Sequence, residues 1–129
     1  MVYLDREAIN QLIEALNRYD FEPVAKLLAD NVVLHCPGKN RLSGDYIGKS
    51  SVLDFWENQF QLTNGNFKPV VVSVVQGEGS LILIMEISTA YQNQVKTWRR
   101  VNHYRIVDGQ VIEGWIYEGD QYTADLVFS

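Results

Sequence analysis

Apolar residues recur at helical spacing in the first third of the chain and shift to strand spacing over most of the rest. Ala8, Ile9, Leu12, Ile13 and Leu16 form a stripe at intervals of three and four, the spacing that keeps side chains on one helix face. Asp5, just ahead of it, is a candidate N-cap. A second, shorter helix is expected from Pro23 to Ala29. Pro23 suits its first turn, where a missing N–H leaves no bond unmade, and Val24, Leu27 and Leu28 supply the buried side. Val32 to Cys36 then reads as a strand stopped by Pro37-Gly38. The segment from Lys39 to Gly48 is dense in turn formers and reads as an ordered loop. Ser50 is the expected cap of a third helix, with Val52, Phe55, Trp56, Gln59 and Phe60 as its stripe. Thr63-Asn64-Gly65-Asn66 ends it.

Strands fill most of what remains. Val70 to Gln76, Ser80 to Tyr91, Val95 to Val107 and Gln110 to Glu118 are rich in β-branched and aromatic residues. The breaks at Gly77-Glu78-Gly79, Gln92-Asn93-Gln94 and Asp108-Gly109 read as hairpin turns, Asp108-Gly109 most clearly, because a type I′ turn needs two residues at positive φ. Helices followed by an antiparallel meander predict a layered α+β domain. In Leu81-Ile82-Leu83-Ile84-Met85 both parities are apolar, and the valines from Val70 to Val75 repeat the theme. A sheet with one wet face should alternate. Three short helices cover only one face, so a homodimer through the outer sheet face is expected.

Composition narrows the class. A chain of 129 residues with 47% hydrophobic and 21% charged residues suits one folded domain spanning 1–129. A net charge of −5 argues against a nucleic-acid partner, since neutralising phosphates needs a basic surface. The single cysteine, Cys36, cannot form an intramolecular disulfide and fits a reducing compartment. Acidic residues follow Met1-Val2-Tyr3-Leu4 too soon for a signal peptide. The apolar run from Leu81 to Met85 is far short of the roughly 20 residues that span a bilayer. A cytoplasmic address without membrane association is the expectation.

Ala29-Asp30-Asn31-Val32-Val33-Leu34-His35-Cys36-Pro37-Gly38, then Leu42-Ser43-Gly44-Asp45-Tyr46-Ile47-Gly48 and a helix, form a pattern that resembles the SnoaL-like polyketide cyclase branch of the nuclear transport factor 2-like superfamily. Tyr104 to Glu113, followed by Asp120-Gln121, extends the likeness over nearly the whole chain. The resemblance implies a cystatin-like cone, with three N-terminal helices packed in a strongly curved, mixed but mainly antiparallel sheet and a mostly apolar pocket between them. The superfamily includes ketosteroid isomerases, cyclases, dehydratases and epoxide hydrolases, so the fold does not fix the reaction. Ketosteroid isomerases place an Asp base where this chain has Cys36, an oxyanion-hole Tyr near Leu12 and an oxyanion-hole Asp near Asn102. Those departures speak against steroid isomerisation by that mechanism. In the cyclases a pocket-side Asp acts as acid–base, and Asp120 is the nearest candidate.

Among individual residues, His35 could serve as acid or base near neutrality, with an unperturbed pKa of about 6.5; the alternative is a histidine that anchors the following loop. If the last strand stays regular, Glu118 and Asp120 share a face, and mutual repulsion beside an apolar cavity would raise one pKa. The alternative is an Asp120 that caps a short C-terminal turn, with Gly114 or Gly119 breaking the parity. Trp98, Arg100, Asn102 and Tyr104 share one parity, which in the resemblance faces the pocket. Arg100 could pair with Glu118 or Asp120, or hold an anionic ligand group; Asn102 and Tyr104 could donate to a carbonyl oxygen. His103 has the opposite parity and belongs to the expected dimer face. Trp56 is either pocket wall or packing, and Cys36 reads as a small buried apolar residue. Two histidines at 35 and 103 without ligand-spaced partners give no metal site. No phosphate loop, serine nucleophile motif or dinucleotide fingerprint is present, so no cofactor is expected.

The leading reading is a pocket protein for a small apolar organic molecule, acting as a cofactor-independent isomerase, cyclase or dehydratase by acid–base catalysis. Asp120 or His35 would move the proton. Two others stay open: a non-catalytic, dimeric small-ligand-binding protein, and a dimeric scaffold with a vestigial pocket.

Overall fold

In the computed structural model, which describes residues 4–129, Asp5 caps the first helix: its carboxylate accepts from the Ala8 amide at 2.8 Å. Met1 to Tyr3, the start of the stretch read as unlike a signal peptide, lie outside the described residues. Helix α1 (Arg6–Arg18) buries Leu12 and Ala15 and stops at Tyr19, which takes a left-handed conformation at φ 58°. Helix α2 (Phe21–Leu27) follows at once, capped by Asp20. It begins ahead of Pro23 and ends before Leu28 and Ala29. Those two residues instead open strand β1 (Leu28–Cys36), which is longer than its apolar core indicates.

The remaining elements are β2 (Gly44–Ile47), α3 (Lys49–Leu62), β3 (Lys68–Gly77), β4 (Ser80–Tyr91), β5 (Gln94–Val107), β6 (Gln110–Glu118) and α4 (Gln121–Val127). Strand β2 falls inside the segment read as a loop. It pairs antiparallel with β1 from Val33↔Ile47 to Cys36↔Gly44, and its mostly exposed edge position leaves no apolar alternation to read. The third helix starts after Gly48, which has φ 93° and makes no side-chain cap, so Ser50 lies inside the helix rather than capping it. Helix α4 exceeds the short turn considered at the C-terminus. It buries Ala124 and Val127, with Phe128 behind them. Its Asp125 accepts from the Lys39 amide at 3.0 Å and from Asn40 Nδ2 at 2.8 Å, which ties the 37–43 segment to the chain end.

The six strands form one sheet in the order β2-β1-β6-β5-β4-β3. Only β1 and β6 run parallel, so the sheet is mixed and mainly antiparallel. Two of the hairpin turns, Gln92-Asn93 and Asp108-Gly109, place both central residues at positive φ, the geometry that matches strand twist. Register shifts between Val71 and Ser73 and between Arg105 and Ile106 are bulges, which bend and twist a sheet locally. The inner face packs its large residues, Leu81, Leu83, Ile87 and Ile106, against the helices. The outer face carries Ile82, Ile84, Val101 and Trp115, none fully buried, and leaves Val75 and Tyr117 exposed. No helix among the described residues is long and apolar enough to cross a membrane.

Candidate functional site

Strand β5 alternates strictly: Trp98, Arg100, Asn102, Tyr104 and Ile106 are buried on the inner face, and their neighbours point outward. Register sets Arg100 opposite Glu118 of β6. The two side chains, 3% and 4% exposed, form a bidentate ion pair. Arg100 Nε donates to Glu118 Oε1 at 2.7 Å and Nη2 donates to Oε2 at 2.9 Å. Trp98 Nε1 adds a third bond to Oε1 at 3.2 Å. Burial alone would lower the Arg100 pKa; the Glu118 carboxylate outweighs it and raises the value, so the guanidinium stays charged. Phe67 packs its ring face 5.3 Å from the guanidinium carbon.

The network continues into the helices. Arg100 Nη1 donates to Gln59 Oε1 at 2.7 Å, Gln59 Nε2 donates to the Tyr19 hydroxyl at 2.9 Å, and that hydroxyl donates to the Trp56 carbonyl at 2.6 Å. Tyr19 reaches this point because its left-handed cap conformation turns the chain out of α1. Burial raises its pKa above the ordinary tyrosine value. The sequence pattern places Gln59 on the α3 stripe without giving it a role and does not mark Tyr19. A glutamine on the otherwise apolar stripe of α3 was the available signal, since buried polar residues are the informative exceptions in a core.

Beside this network lies a cavity between α1, α2, α3 and the inner sheet face. Its apolar walls include Leu16, Phe21, Val24, Trp56 and Met85, while Tyr19, Gln59, Arg100 and Asn102 form its polar side. Its volume is about 20 Å³, room for a single water and well below the roughly 300 Å³ usual for ligand sites. The roomy hollow implied by the resemblance is mostly filled by these same side chains, with Phe21 stacked on Trp56 at 5.9 Å. Asn102 Nδ2 donates to the Tyr104 hydroxyl at 2.8 Å. Asn102 Oδ1 is the one buried side-chain polar atom without a partner among the described residues. Burial pushes the Tyr104 pKa up to about 12.

The other candidates lie apart from the cavity lining. Parity along β6 holds through Glu118 and ends at Gly119, whose amide donates to the Arg99 carbonyl at 2.7 Å. Asp120 therefore leaves the inner face, stands exposed and caps α4, accepting from the Thr123 amide at 3.0 Å and hydroxyl at 2.7 Å. Those hydrogen bonds hold its carboxyl below the usual aspartate value, the reverse of what proton transfer near neutrality requires. The carboxylate pair considered for Glu118 and Asp120 is not formed; Glu118 pairs with Arg100.

His35 lies on the outer face. Its Nδ1 is 2.7 Å from Asp45 Oδ1 and its Nε2 is 2.6 Å from Glu113 Oε2. The Glu113 bond, then the Asp45 bond, raises its pKa. Its ring stacks on Trp115, which stacks in turn on His103. Cys36 is half-buried near the Arg100–Glu118 pair, and burial pushes its thiol up to about 12, which leaves it a poor nucleophile. No group of three or more His, Cys, Asp or Glu residues among the described residues could hold a metal ion.

A mixed sheet folded round three helices, with polar side chains held on its concave face, defines the cone-shaped, nuclear transport factor 2-like class. Residues 9–114 match the SnoaL-like domain, and the chain belongs to that family. The solved structure of Bal32a, from a soil-derived mobile gene cassette, is similar with a TM-score of 0.87 at 22% identity, covering 95% of each chain. A cystatin-like protein of unknown function from Xanthomonas campestris gives a TM-score of 0.86 at 20% identity, over 95% of this chain and 96% of that one. IdmH from Streptomyces antibioticus, for which a polyketide cyclase role has been put forward, gives 0.70 at 19% identity, over 93% and 96%. At these identities the likeness is one of fold. No curated protein matches the chain.

Proposed function

We propose that this protein binds a small, largely apolar molecule between its helices and the inner sheet face, and that binding, rather than proton transfer by His35 or Asp120, is its function. The observation that carries this reading is the burial of Arg100 and Asn102 on the concave face, beside a cavity with apolar walls. A core selected for stability alone has little use for them, because a buried ion pair is often no better than well-packed apolar residues. A few fixed polar groups among apolar walls are what ligand sites are made of. Of the ionisable groups around the cavity, Arg100 is ion-paired, Tyr19 is pushed above its ordinary range, and exposed Asp20 caps α2. Neither Arg100 nor Tyr19 is poised to exchange a proton near neutrality. A ligand larger than water enters by displacing the Phe21–Trp56 wall, where Phe21 is only half-buried.

A library of small aromatic compounds, followed through the Gln59 side-chain and Trp56 indole resonances, tests this. Hits should perturb both, and equally so in His35→Ala and Asp120→Asn. Turnover of a bound compound that either substitution abolishes would overturn the binding reading. A catalytic reading draws support from the cyclase role put forward for IdmH. In that reading Glu118, the carboxylate buried on the inner face, moves the proton once Arg100 has swung away, and Glu118→Gln would remove turnover.

We also infer that a second copy covers the outer face. Tyr117, Val101 and Ile84 lie side by side across the strands, as do Trp115, His103, Ile82 and Val75. The ion pairs Arg99–Glu86 and Arg105–Glu113 flank this apolar belt. The same surface on two copies is self-complementary about a two-fold axis. Sedimentation equilibrium at micromolar concentration should report a dimer, and Val101→Glu should dissolve it; a monomeric wild type would end the idea.

A further inference from the structure

Among the described residues, one buried side-chain polar atom of the cavity lining has no hydrogen-bond partner at all. Every nitrogen of Arg100 is engaged, Nε and Nη2 by Glu118 and Nη1 by Gln59. Both Glu118 oxygens are engaged as well, and the pair is neutral as a unit. An anionic ligand would therefore meet no uncompensated positive charge, and drawing Arg100 toward it would strand Glu118 in the core. Gln59 and Tyr19 are locked to each other, with Tyr19 spending its proton on the Trp56 carbonyl. What remains is Asn102. It is 4% exposed, it lines the cavity, and its Nδ2 is bonded to Tyr104 while its Oδ1 accepts nothing from the described residues.

Resting on the binding function proposed above, we propose that the site selects an uncharged ligand with a hydroxyl on an apolar, planar body, and that Asn102 Oδ1 receives the hydroxyl proton. A buried acceptor favours a ligand that brings it a donor in place of the single water the cavity has room for. Sites built around a polar group also discriminate sharply against analogues that lack the matching group. The polar contact then sits at the β5 end of the cavity, and the apolar body lies toward Val24, Met85 and Trp56. Arg100 has a positioning role here: its bond to Gln59 fixes α3 against the sheet and so fixes the wall facing Asn102.

The test titrates three probes that share one 4-propylphenyl body into the full chain: 4-propylphenol, its methyl ether 4-propylanisole, and 4-propylbenzoate. The Asn102 and Gln59 side-chain amide resonances locate the binding. The phenol should bind about tenfold tighter than the ether, the worth of one well-made buried hydrogen bond, and the benzoate should bind worst. In Asn102→Leu the gap between phenol and ether should close. Equal affinity for phenol and ether in the wild type, a gap that survives Asn102→Leu, or tightest binding by the benzoate would overturn the assignment. Each of those results leaves the pocket itself in place. If none of the three perturbs either amide, the binding reading fails and takes this inference with it. The wild-type comparison needs no variant, so a poorly folding Asn102→Leu would not blunt it.

Discussion

Arg100 Nη1 and Gln59 Oε1 meet at 2.7 Å, and this single bond joins the concave face of the sheet to helix α3. On one side it continues to Glu118 and Trp98, on the other to Tyr19 and the Trp56 carbonyl. The core is therefore stitched by a polar line running from β6 through β5 and α3 to the end of α1. In a low-dielectric interior such a line is rigid while complete and expensive when broken.

Breaking it at the ion pair should show this asymmetry. Glu118→Leu leaves the Arg100 charge buried without a counter-ion and should lower unfolding free energy in urea by about 3–5 kcal/mol. The double variant Glu118→Leu with Arg100→Met removes both charges and should recover most of the loss. A single variant that costs less than about 1 kcal/mol would show that water reaches the pair, against the 3% and 4% exposure of its two side chains.

Tyr19→Phe tests the other end of the line. It removes a donor to the Trp56 carbonyl and an acceptor for Gln59, both part-buried, and should destabilise by about 1–3 kcal/mol. Because the two residues share one network, Tyr19→Phe and Gln59→Leu together should cost clearly less than the sum of their separate effects. Strict additivity in a double-mutant cycle would deny that they act as a unit.

Stability should also depend on pH through His35. Its folded pKa is raised above 6.5 by Glu113 and Asp45, so the folded state binds the proton more tightly than the unfolded chain. The stabilisation is therefore complete below pH 6.5 and is lost as pH rises through the folded value. Urea midpoints should fall over that interval, and Glu113→Gln should flatten the change. Asp120 works in the opposite sense: its pKa is lowered, so its contribution is present above 3.8 and disappears as pH falls through the folded value. A wild-type midpoint that rises between about pH 6.5 and 8 would contradict the sign assigned to His35.

How much of this was legible beforehand varies with the physics behind each feature. The inner parity of Trp98, Arg100, Asn102 and Tyr104 was readable, because a strand's period of two is fixed by covalent geometry. The alternation carried on to Glu118 in β6 for the same reason. It could not decide where β6 ends, since Gly119 is compatible with either a continued strand or a break, and Asp120 changed faces on that one point. Strand β2 hid among turn formers because an edge strand needs no apolar alternation. The free space in the core was beyond reach: composition names the residues that line a cavity, whereas their rotamers decide whether they surround it or fill it. Tyr19, Gln59 and Trp56 fill it.

Gly114 offers a test of how tightly the polar face is held. It lies opposite Tyr104 in the β5–β6 register, and a Cβ added there would come within 2.9 Å of Tyr104 Cδ1, 3.0 Å of Cε1 and 3.1 Å of Leu34 Cδ1. The backbone at Gly114 is ordinary, so the obstacle is space alone. Tyr104 is buried, so its ring can give way only by displacing its neighbours. Gly114→Ala should therefore destabilise by about 1–3 kcal/mol, the usual penalty for overpacking a filled core. It should also push the Tyr104 ring aside and lengthen its 2.8 Å bond to Asn102 Nδ2, which would shift the Asn102 side-chain amide resonances even without ligand. Leu34→Val in the same chain relieves only the least severe contact and should rescue little of the loss. If Gly114→Ala leaves both stability and the Asn102 amide signals unchanged, then Tyr104 has room to move, and Asn102 is not held where the ligand assignment requires it.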